Sequence, residues 1–375
     1  MERKGFARDN DYYDKVIGLN GRHAIDPQVL EQKVALKKSL KPLHEQVIVI
    51  TGASSGVGLV TARMAAYRGA KLVLAARNKK ALEQLTEELK AQGYPATYVQ
   101  ADVGIEEDVQ KIAETAIKEF GRFDTWVNNA GVTIYGYAMD VSIEDMKRMH
   151  DTNYWGVVYG SKVAVNHFKQ RGIPGALINV GSLFGDRGTI IQSTYAPSKF
   201  AVHGWTESLR MELEKEKVPV SVTLIHPGRI DTPYNEHATS YLDEHPVHKG
   251  MIYPPEAVAE AILFAAEHPK RDMYVGSQAK LLALLGTLFP RLTDKLIEML
   301  MAPTQYANRP SDSNNNSALY HAGYGMHERG TNVGWIREQS IYVKAAKQPA
   351  LSAITVAAIG GIFLAIARRK KHGST

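Results

Sequence analysis

Three side chains with complementary chemistry lie within one short stretch of this 375-residue chain: the hydroxyl of Ser182, the phenol of Tyr195 and the ammonium of Lys199. The phenol and the ammonium are four positions apart, a spacing that places two side chains on one face of a helix. Pro197, between them, is compatible with the first turn of that helix, where no backbone donor is needed. We therefore expect both groups to point into the same cleft.

A neighbouring positive charge can turn a phenol into a proton donor at neutral pH. A tyrosine titrates near pH ~10, and lowering its pKa by ~2 to 3 units requires ~3 to 4 kcal/mol of stabilisation of the phenolate. One ammonium ~5 Å away supplies about 3 kcal/mol at an effective dielectric of ~20. Tyr195 is therefore a candidate general acid for a forming alcohol, or general base in the reverse direction, with Lys199 lowering its pKa.

A glycine-rich turn lies further towards the amino terminus, in "VIVITGASSGVGLVTARMAAYRGAKLVLAAR". This pattern predicts a strand, a tight turn, a helix and a second strand. Gly52 ends the first strand, and Gly56 and Gly58 lie where the backbone must approach a phosphate and the sheet. The helix amino terminus would direct its free N–H groups at a pyrophosphate. Between a strand and a helix, such glycines predict a dinucleotide site.

The end of the second predicted strand bears on which dinucleotide binds. It reads Ala-Ala-Arg-Asn-Lys, with no carboxylate to hold the ribose 2′-hydroxyl of NAD. An arginine here can instead accommodate a 2′-phosphate, so Arg77 favours NADP(H) over NAD(H). The alternative is that Arg77 is a solvated charge at a strand end.

Short apolar runs alternate with amphipathic stretches from residue 46 onwards, a pattern typical of a parallel sheet covered on both sides. The expected fold is α/β, a Rossmann-type doubly wound parallel sheet with helices on both faces, forming a single catalytic domain with terminal extensions. The predicted segments are an amino-terminal extension (1–44), the catalytic domain (45–276), an apolar helical extension (277–301), a polar linker (302–345) and a transmembrane anchor with a basic tail (346–375).

The anchor is predicted from the nineteen residues 349–367, which carry no charge and are followed at once by "RRKK". Nineteen helical residues rise ~28 Å, about the thickness of the bilayer core. An alanine-rich helix packed on the protein is the alternative. The apolar run within 277–301 is short and more typical of a core or subunit-contact helix, which leaves a homo-oligomer open. We expect a single-pass membrane protein with a cytoplasmic catalytic domain, since the amino terminus has no apolar signal segment.

Composition excludes several other functions. Hydrophobic residues make up 44% and charged residues 22%, as in an ordinary globular protein. The chain has no cysteine, which rules out disulfides, thiolate metal sites and cysteine nucleophiles. The net charge of +6 is concentrated partly in Arg368–Lys371, and we expect no nucleic-acid partner. No metal site is predicted, and His203 and His226 are interpreted as structural residues.

Six motifs between residues 46 and 232 resemble, in type and order, those of the classical short-chain dehydrogenase/reductase family. The glycine spacing, Thr-Gly-x-x-x-Gly-x-Gly, differs from the commoner Gly-x-Gly-x-x-Gly fingerprint and is similar to that of this family. The motifs are the glycine pattern at 51–58, Asp102 after the third strand, Asn128–Gly131, Asn153, the set Ser182, Tyr195 and Lys199, and Pro227–Thr232.

The resemblance implies roles for four catalytic residues. Ser182 would bind the substrate oxygen, Tyr195 would transfer the proton, and Lys199 would also hold the nicotinamide ribose. Asn153 would position a water in a proton relay.

The resemblance also implies a set of cofactor contacts. Asp102 would contact the adenine, Thr232 the phosphates, and the backbone at Ile230 the carboxamide. The full set of predicted cofactor residues is Gly52, Ser54, Ser55, Gly56, Val57, Gly58, Arg77, Asp102, Asn129, Ala130, Gly131, Tyr195, Lys199, Pro227, Gly228, Ile230 and Thr232.

Together these features predict an NADP-dependent oxidoreductase that interconverts a carbonyl and a secondary alcohol by hydride transfer. The membrane anchor suggests a lipophilic small-molecule substrate such as a steroid, a retinoid or a long-chain carbonyl compound. One alternative is an NADP-binding sensor or scaffold protein that lacks turnover. Another is a soluble metabolic reductase whose tail packs on a partner subunit.

Overall fold

The computed structural model describes residues 39–276, 284–311 and 316–347. The strands in these ranges are β1 (Val47–Thr51), β2 (Lys71–Ala76), β3 (Ala96–Gln100), β4 (Thr125–Asn128), β5 (Ile134–Tyr135), β6 (Gly175–Val180), β7 (Val220–Pro227), β8 (Thr239–Ser240), β9 (Glu244–Pro246), β10 (Lys249–Ile252), β11 (Asp272–Val275), β12 (Tyr306–Pro310) and β13 (Val333–Ile336). The helices are α1 (Gly56–Tyr67), α2 (Lys79–Ala91), α3 (Glu106–Phe120), α4 (Ile143–His150), α5 (Gly156–Arg171), α6 (Tyr195–Lys215), α7 (Pro255–Glu267), α8 (Pro290–Leu296) and α9 (Ile341–Lys347).

Seven strands form one parallel sheet in the order β11-β7-β6-β4-β1-β2-β3. The strand order reverses between β1 and β4, and ligands of doubly wound sheets bind outside the carboxyl ends of the strands at such a reversal. This architecture confirms the predicted doubly wound α/β fold.

Alternate side chains of the central strand β1 pack into two separate apolar cores, one on each face of the sheet. Ile48 and Ile50 belong to the core beneath α1, α2 and α7. Val47 and Val49 belong to the core beneath α3, α5 and α6. This division follows from the two-residue period of a strand, and each fully buried aliphatic side chain contributes about 1.5 to 3 kcal/mol. A core on each face fixes the carboxyl edge of the sheet, where the site residues lie.

In the segment predicted as a polar linker, 302–345, the described residues 302–311 and 316–345 pack on the catalytic domain through two strand pairs. Strand β12 pairs antiparallel with β9, and β13 pairs parallel with β10. Helix α9 is tied to α7 by an ion pair between Lys347 and Glu260, 2.6 Å long. A composition rich in Asn, Ser and Gly predicts a linker, but backbone groups pair in a ladder whatever their side chains are.

No helix in the described ranges is long and apolar enough to cross a membrane. The predicted anchor at 349–367 lies outside the described residues, as do residues 1–38 of the predicted amino-terminal extension. Of the predicted apolar extension, residues 284–301 are described, and they include α8 and a π-helical turn at Ile297–Met301. Leu284, Leu288 and Phe289 are exposed there.

Candidate active site

One cavity lies at the carboxyl edge of the central sheet, at the reversal between β1 and β4. Ser182, Tyr195 and Lys199 line it, whereas Asn153 lies behind its wall. Except for Gly58, every cofactor residue predicted from the sequence also lines this cavity. The sequence motifs, spread over about 180 residues of chain, therefore meet at one place.

The glycine loop after β1 forms a close-packed cradle. Gly52 and Gly56 have φ of +68° and +52°, values that residues with a side chain rarely adopt. A Cβ on Gly58 would lie 2.1 Å from the carbonyl oxygen of Gly52, so this position tolerates only glycine. Asn129 holds the loop from the β4 side, donating from Nδ2 to the carbonyl of Thr51 over 2.9 Å. The cradle fits the phosphates of a dinucleotide, which need close backbone approach.

Asn153 lies in a π-helical turn, Asp151–Trp155, that joins α4 to α5. Such turns are frequent at functional sites because they re-aim a side chain within a helix. Oδ1 of Asn153 accepts from the amide of Val132 over 2.8 Å, and Nδ2 donates to the carbonyl of Val132 over 2.9 Å and to Oγ of Ser198 over 3.0 Å. Asn153 thus fixes the chain after β4 to the first turn of α6, directly beneath Tyr195.

Ser182 begins a short 3₁₀ turn, Leu183–Gly185, after β6. Its Oγ accepts a hydrogen bond from the amide of Phe184 over 3.1 Å, which satisfies the turn and holds the hydroxyl in place. The same hydroxyl lies within hydrogen-bonding reach of the Tyr195 phenol. This contact brings the two hydroxyl groups of the predicted catalytic set together.

Tyr195 is the first residue of α6, and Lys199 follows one turn later, with Nζ 5.8 Å from the phenol ring centre. The Lys199 ammonium donates to the carbonyl of Val180 over 3.0 Å. Burial lowers the pKa of Lys199 to about 8. Burial also raises the pKa of Tyr195, against the opposing hydrogen bonds of Ser182 and Tyr234. The spacing predicts that Lys199 lowers the pKa of Tyr195, but in the fold desolvation of the phenol raises it.

Tyr234 is a second phenol in the site, and none of the sequence motifs includes it. Its ring meets that of Tyr195 edge to face at 5.7 Å, and its hydroxyl is hydrogen-bonded to Tyr195. Nε2 of Gln192 donates to the Tyr234 hydroxyl over 3.2 Å and to Oγ1 of Thr133 over 3.1 Å. Tyr234 follows the Pro227–Thr232 motif by two positions, in a segment without a recognisable signature, so only the fold reveals its proximity.

A buried network of imidazoles and carboxylates lies behind the Ser182 turn. Nδ1 of His203 and Nδ1 of His226 contact the two oxygens of Asp186 at 3.1 and 2.9 Å, and Nε2 of His226 contacts Asp272 at 3.3 Å. Burial opposes a charge on His226, but hydrogen bonds to the two carboxylates outweigh it and raise its pKa. The pKa of Asp186 falls to about 2, because the two imidazoles outweigh its burial. Both histidines therefore support the site from behind.

Arg77 lines the cavity, and its hydrogen-bond partners come from far along the chain. Its guanidinium donates to the carbonyl of Ala318 and, over 3.2 Å, to that of Leu319. Arg148 donates to the same Leu319 carbonyl over 3.1 Å and pairs with Asp102. Asp102 also accepts from the amide of Gly104 over 2.9 Å. Two arginines thus converge at the end of the cleft where the sequence places the adenosine.

Proteins that bind a dinucleotide at this edge of a doubly wound sheet, with a proton donor beside it, are dehydrogenases and reductases. This chain is an NAD(P)-dependent oxidoreductase of that class. More narrowly, residues 46–242 match the short chain dehydrogenase family, and the chain belongs to it. The family resemblance predicted from the motifs is therefore confirmed.

Several known proteins are similar to this chain. The uncharacterized oxidoreductase YxnA of Bacillus subtilis (strain 168) is 69% identical over 335 residues, 88% of this chain and 94% of that protein. The 11-beta-hydroxysteroid dehydrogenase-like 4A protein of Arabidopsis thaliana is 37% identical over 52% of this chain and 64% of its own length.

Two solved structures share the fold. A short chain dehydrogenase/reductase from Burkholderia phymatum in complex with NAD is 30% identical, with a TM-score of 0.51 over 52% of this chain and 70% of that one. An alcohol dehydrogenase from the archaeon Thermococcus sibiricus complexed with 5-hydroxy-NADP is 26% identical, with a TM-score of 0.53 over 61% of this chain and 95% of that one.

Proposed function

We propose that the protein interconverts a ketone or aldehyde and the corresponding alcohol with NADP(H), and that Tyr195 transfers the proton. The observation that carries this proposal is the set of contacts at the Tyr195 phenol, which meets the hydroxyls of Ser182 and Tyr234 on the cavity wall. A carbonyl oxygen placed beside Ser182 would lie within reach of the phenolic proton. Lys199, one helical turn away, completes the set.

Reduction would proceed by two transfers to one carbonyl group. The dinucleotide supplies the hydride to the carbonyl carbon when bound. The Tyr195 phenol gives its proton to the carbonyl oxygen, and the product is an alcohol. Ser182 holds that oxygen by a hydrogen bond while negative charge develops on it. Oxidation of the alcohol is the same sequence reversed.

The electrostatics of the site suit a proton donor. A raised pKa keeps the Tyr195 phenol protonated at neutral pH, and a pKa of about 8 keeps the Lys199 ammonium charged there. Once the phenol has lost its proton, the ammonium and the Tyr234 hydroxyl stabilise the phenolate. A sensor or scaffold protein would have no use for a buried lysine beside a phenol, so we favour the enzyme over that alternative.

The preference for NADP(H) rests on Arg77 and on the absence of a carboxylate at the end of β2. Arg148 adds a second positive charge at the same end of the cleft. The similar Thermococcus alcohol dehydrogenase was solved with 5-hydroxy-NADP, whereas the Burkholderia protein was solved with NAD. Both cofactors therefore occur among similar folds, and the arginine pair favours NADP(H) here.

A lipophilic substrate is supported by the apolar surroundings of the catalytic phenol. Leu183 and Phe184 line the cavity, and both belong to an apolar cluster that includes Val132, Ile134 and Tyr195. Burying apolar substrate surface against such a wall contributes about 25 cal/mol per Å². The hydroxysteroid dehydrogenase-like name of the similar Arabidopsis protein points the same way.

Membrane attachment through 349–367 stays a prediction from the sequence. The exposed apolar side chains Leu284, Leu288 and Phe289 offer a second surface that could contact lipid or another subunit. Fractionation of the full-length protein beside a version ending at residue 345 tests the attachment. Only the full-length protein should need detergent, and equal behaviour of the two would contradict the anchor.

Cofactor and substrate are tested together by following oxidation of NADPH and of NADH by the full-length protein over ketones and aldehydes from polar to lipophilic. We expect turnover with NADPH to exceed that with NADH, and to rise with the apolar surface of the carbonyl compound. Tight NADPH binding without turnover of any carbonyl would instead favour a sensor protein.

A further inference from the structure

A carboxy-terminal segment crosses the outer end of the cofactor cleft. We call residues 316–332 the strap. Its backbone pairs with the glycine loop: the amide of Met326 donates to the carbonyl of Ser54 over 2.8 Å, and the amide of Gly56 donates to the carbonyl of His327 over 2.9 Å. Nδ2 of Asn78 donates to the carbonyl of Gly323 over 2.9 Å. The strap therefore contacts the starts of both α1 and α2.

Carbonyl groups of the strap accept hydrogen bonds from the donors that would otherwise bind an anionic ligand. The amide of Gly56 is at the amino terminus of α1, where a phosphate would bind. The guanidiniums of Arg77 and Arg148 both donate to Leu319, and Arg77 donates to Ala318 as well. Arg148 is paired with Asp102, so the three charged groups together carry one net positive charge. This place in the cleft has the net positive charge and the N–H donors that bind an anion, but neutral carbonyl groups of the strap occupy it.

The strap forms part of the wall of the cavity and narrows the space in which a dinucleotide would bind. The cavity, lined in part by Ala318, Ala322, Gly323 and Tyr324, encloses about 260 Å³. Sites for drug-sized ligands enclose roughly 300 to 1,000 Å³, and a dinucleotide is larger than most of those ligands.

We propose that Arg77 and Arg148 together form the binding site for the cofactor's 2′-phosphate, and that the carbonyls of Ala318 and Leu319 occupy this site until the phosphate displaces them. This inference rests on the proposed use of NADP(H). It adds Arg148, which the sequence motifs do not include, and assigns the strap a role in cofactor selection.

The chemistry of the two competing groups makes the exchange selective. A phosphate bound to a guanidinium makes charge-assisted hydrogen bonds, which are roughly twice as strong as those to a neutral carbonyl. The ribose 2′-hydroxyl of NAD carries no charge and has no such advantage over the Ala318 and Leu319 carbonyls. The strap therefore selects against NAD(H) because the 2′-hydroxyl gains no stronger bond to the arginines than the carbonyls already make. NAD(H) is not sterically excluded, but it does not displace the strap. The side chain of Leu319, 1% exposed, anchors the strap in the apolar cluster that includes Tyr195.

Hydrogen exchange in the full-length protein tests the displacement directly. The probes are adenosine 2′,5′-bisphosphate and adenosine 5′-monophosphate, which differ only in the 2′-phosphate. The amide of Ala318 donates to the carbonyl of His237 over 2.8 Å, so its protection reports on this end of the strap. We expect the bisphosphate, and not the monophosphate, to speed exchange at residues 317–322. Unchanged exchange, or the same change with both nucleotides, would overturn the proposal.

Substitutions of Arg148 and of Glu328 should change nucleotide affinity in opposite directions. Arg148→Gln should weaken bisphosphate binding about tenfold or more, because it removes a charged hydrogen-bond donor, and should leave monophosphate binding within about twofold. Arg148→Lys should restore part of the loss. Glu328→Ala breaks an ion pair of 2.6 Å between the strap and Arg63, and should tighten bisphosphate binding by about two- to fivefold by loosening the strap.

The matched control is Glu88→Ala, which removes the other carboxylate bound to Arg63 without touching the strap. It should leave both affinities unchanged. Weaker bisphosphate binding by Glu328→Ala would mean that the strap helps to hold the phosphate, and would overturn the proposed competition.

Failure of this inference is distinguishable from failure of the proposed function, because nucleotide binding and carbonyl turnover are measured separately. NADPH-dependent turnover with no 2′-phosphate effect on the strap or on Arg148→Gln would remove the inference alone. Selective displacement of the strap by the bisphosphate without any turnover would remove the proposed reaction alone.

Discussion

The backbone amide of Ser182 donates a hydrogen bond to Nε2 of His203 over 3.3 Å, which ties the turn that carries the serine to helix α6. Burial lowers the pKa of His203, so its imidazole is neutral at physiological pH and can accept at Nε2. Nδ1 then carries the proton and donates to Asp186 at 3.1 Å. The helix that begins with Tyr195 thus also sets the position of Ser182.

Removal of the Asp186 charge should destabilise this support. Asp186→Asn removes a charged acceptor from two imidazoles, and we expect the free energy of unfolding to fall by about 2 kcal/mol at pH 6. The pKa of Asp186 is about 2 in the fold, below its ordinary value of 3.8, so its contribution is present above pH 3.8 and is lost as pH falls towards 2.

Urea unfolding at pH 6 and pH 3 measures this effect. The exposed carboxylate Asp140 offers the control, Asp140→Asn, which should change stability by less than about 0.5 kcal/mol. A difference between wild type and Asp186→Asn that grows on acidification would be inconsistent with the depressed pKa.

Lys199 should lower the stability of the cofactor-free protein. Its pKa is about 8 in the fold and 10.5 in the unfolded chain, so the unfolded chain binds more protons between these values, and stability rises with pH across that window. Below about pH 8 the lysine is charged in both states, and the fold bears the full free-energy cost of burying the ammonium. Lys199→Met should therefore raise the free energy of unfolding at pH 7 by up to about 3 kcal/mol while abolishing turnover.

Unfolding at pH 7 and pH 10.5 tests this prediction, with the exposed Lys215→Met as control. The gain should shrink at the higher pH, where the wild-type lysine is neutral in the fold and half of it is neutral in the unfolded chain. A loss of stability at pH 7 would show that the bond to the Val180 carbonyl outweighs desolvation.

Tyr234→Phe should alter the proton transfer and leave substrate binding nearly unchanged. The Tyr234 hydroxyl lowers the pKa of Tyr195, so its loss should shift the Tyr195 limb of the pH–rate profile to higher pH. Loss of one hydrogen bond to a phenolate should lower kcat by roughly tenfold with KM changed little. Tyr241→Phe, at a phenol that binds Asp145, is the matched control. An unshifted profile would remove Tyr234 from the catalytic set.

Asn153→Ala should lower the stability of the folded protein, independently of any effect on turnover. The Asn153 side chain is completely buried and bonds both backbone groups of Val132 and the hydroxyl of Ser198. Leaving these groups without a partner should cost about 2 to 4 kcal/mol in the free energy of unfolding. Thermal unfolding monitored by circular dichroism measures the loss, and a change below about 0.5 kcal/mol would contradict the positioning role.

The sequence predicts the sheet and much of the site because both are encoded locally. Each strand is a short apolar run, and the glycine loop and the Tyr195–Lys199 turn are local motifs whose places at the sheet edge follow from the topology. The network of Asp186, His203 and His226 is not visible in this way, since its members are 17 and 23 positions apart on different elements.

The contacts of the strap could not be predicted from the sequence. Arg77 and Leu319 are 242 positions apart, and the bond between them uses a backbone carbonyl that any residue would supply. The raised pKa of Tyr195 could not be predicted from the spacing either, because it depends on how deeply the folded chain buries the phenol and on the hydrogen bonds of Ser182 and Tyr234. The four-residue spacing indicates that Tyr195 and Lys199 lie on one helix face, but it does not indicate which other groups each of them contacts.

The most direct test of the proposed reaction compares wild type with Tyr195→Phe, using the carbonyl compound that the wild type reduces fastest. NADPH oxidation and NADPH affinity are measured side by side at pH 7. We predict that turnover falls by at least about 100-fold, as expected for loss of a general acid, while NADPH affinity stays within about twofold. Turnover by the phenylalanine variant at the wild-type rate would contradict the assignment of Tyr195 as the proton donor.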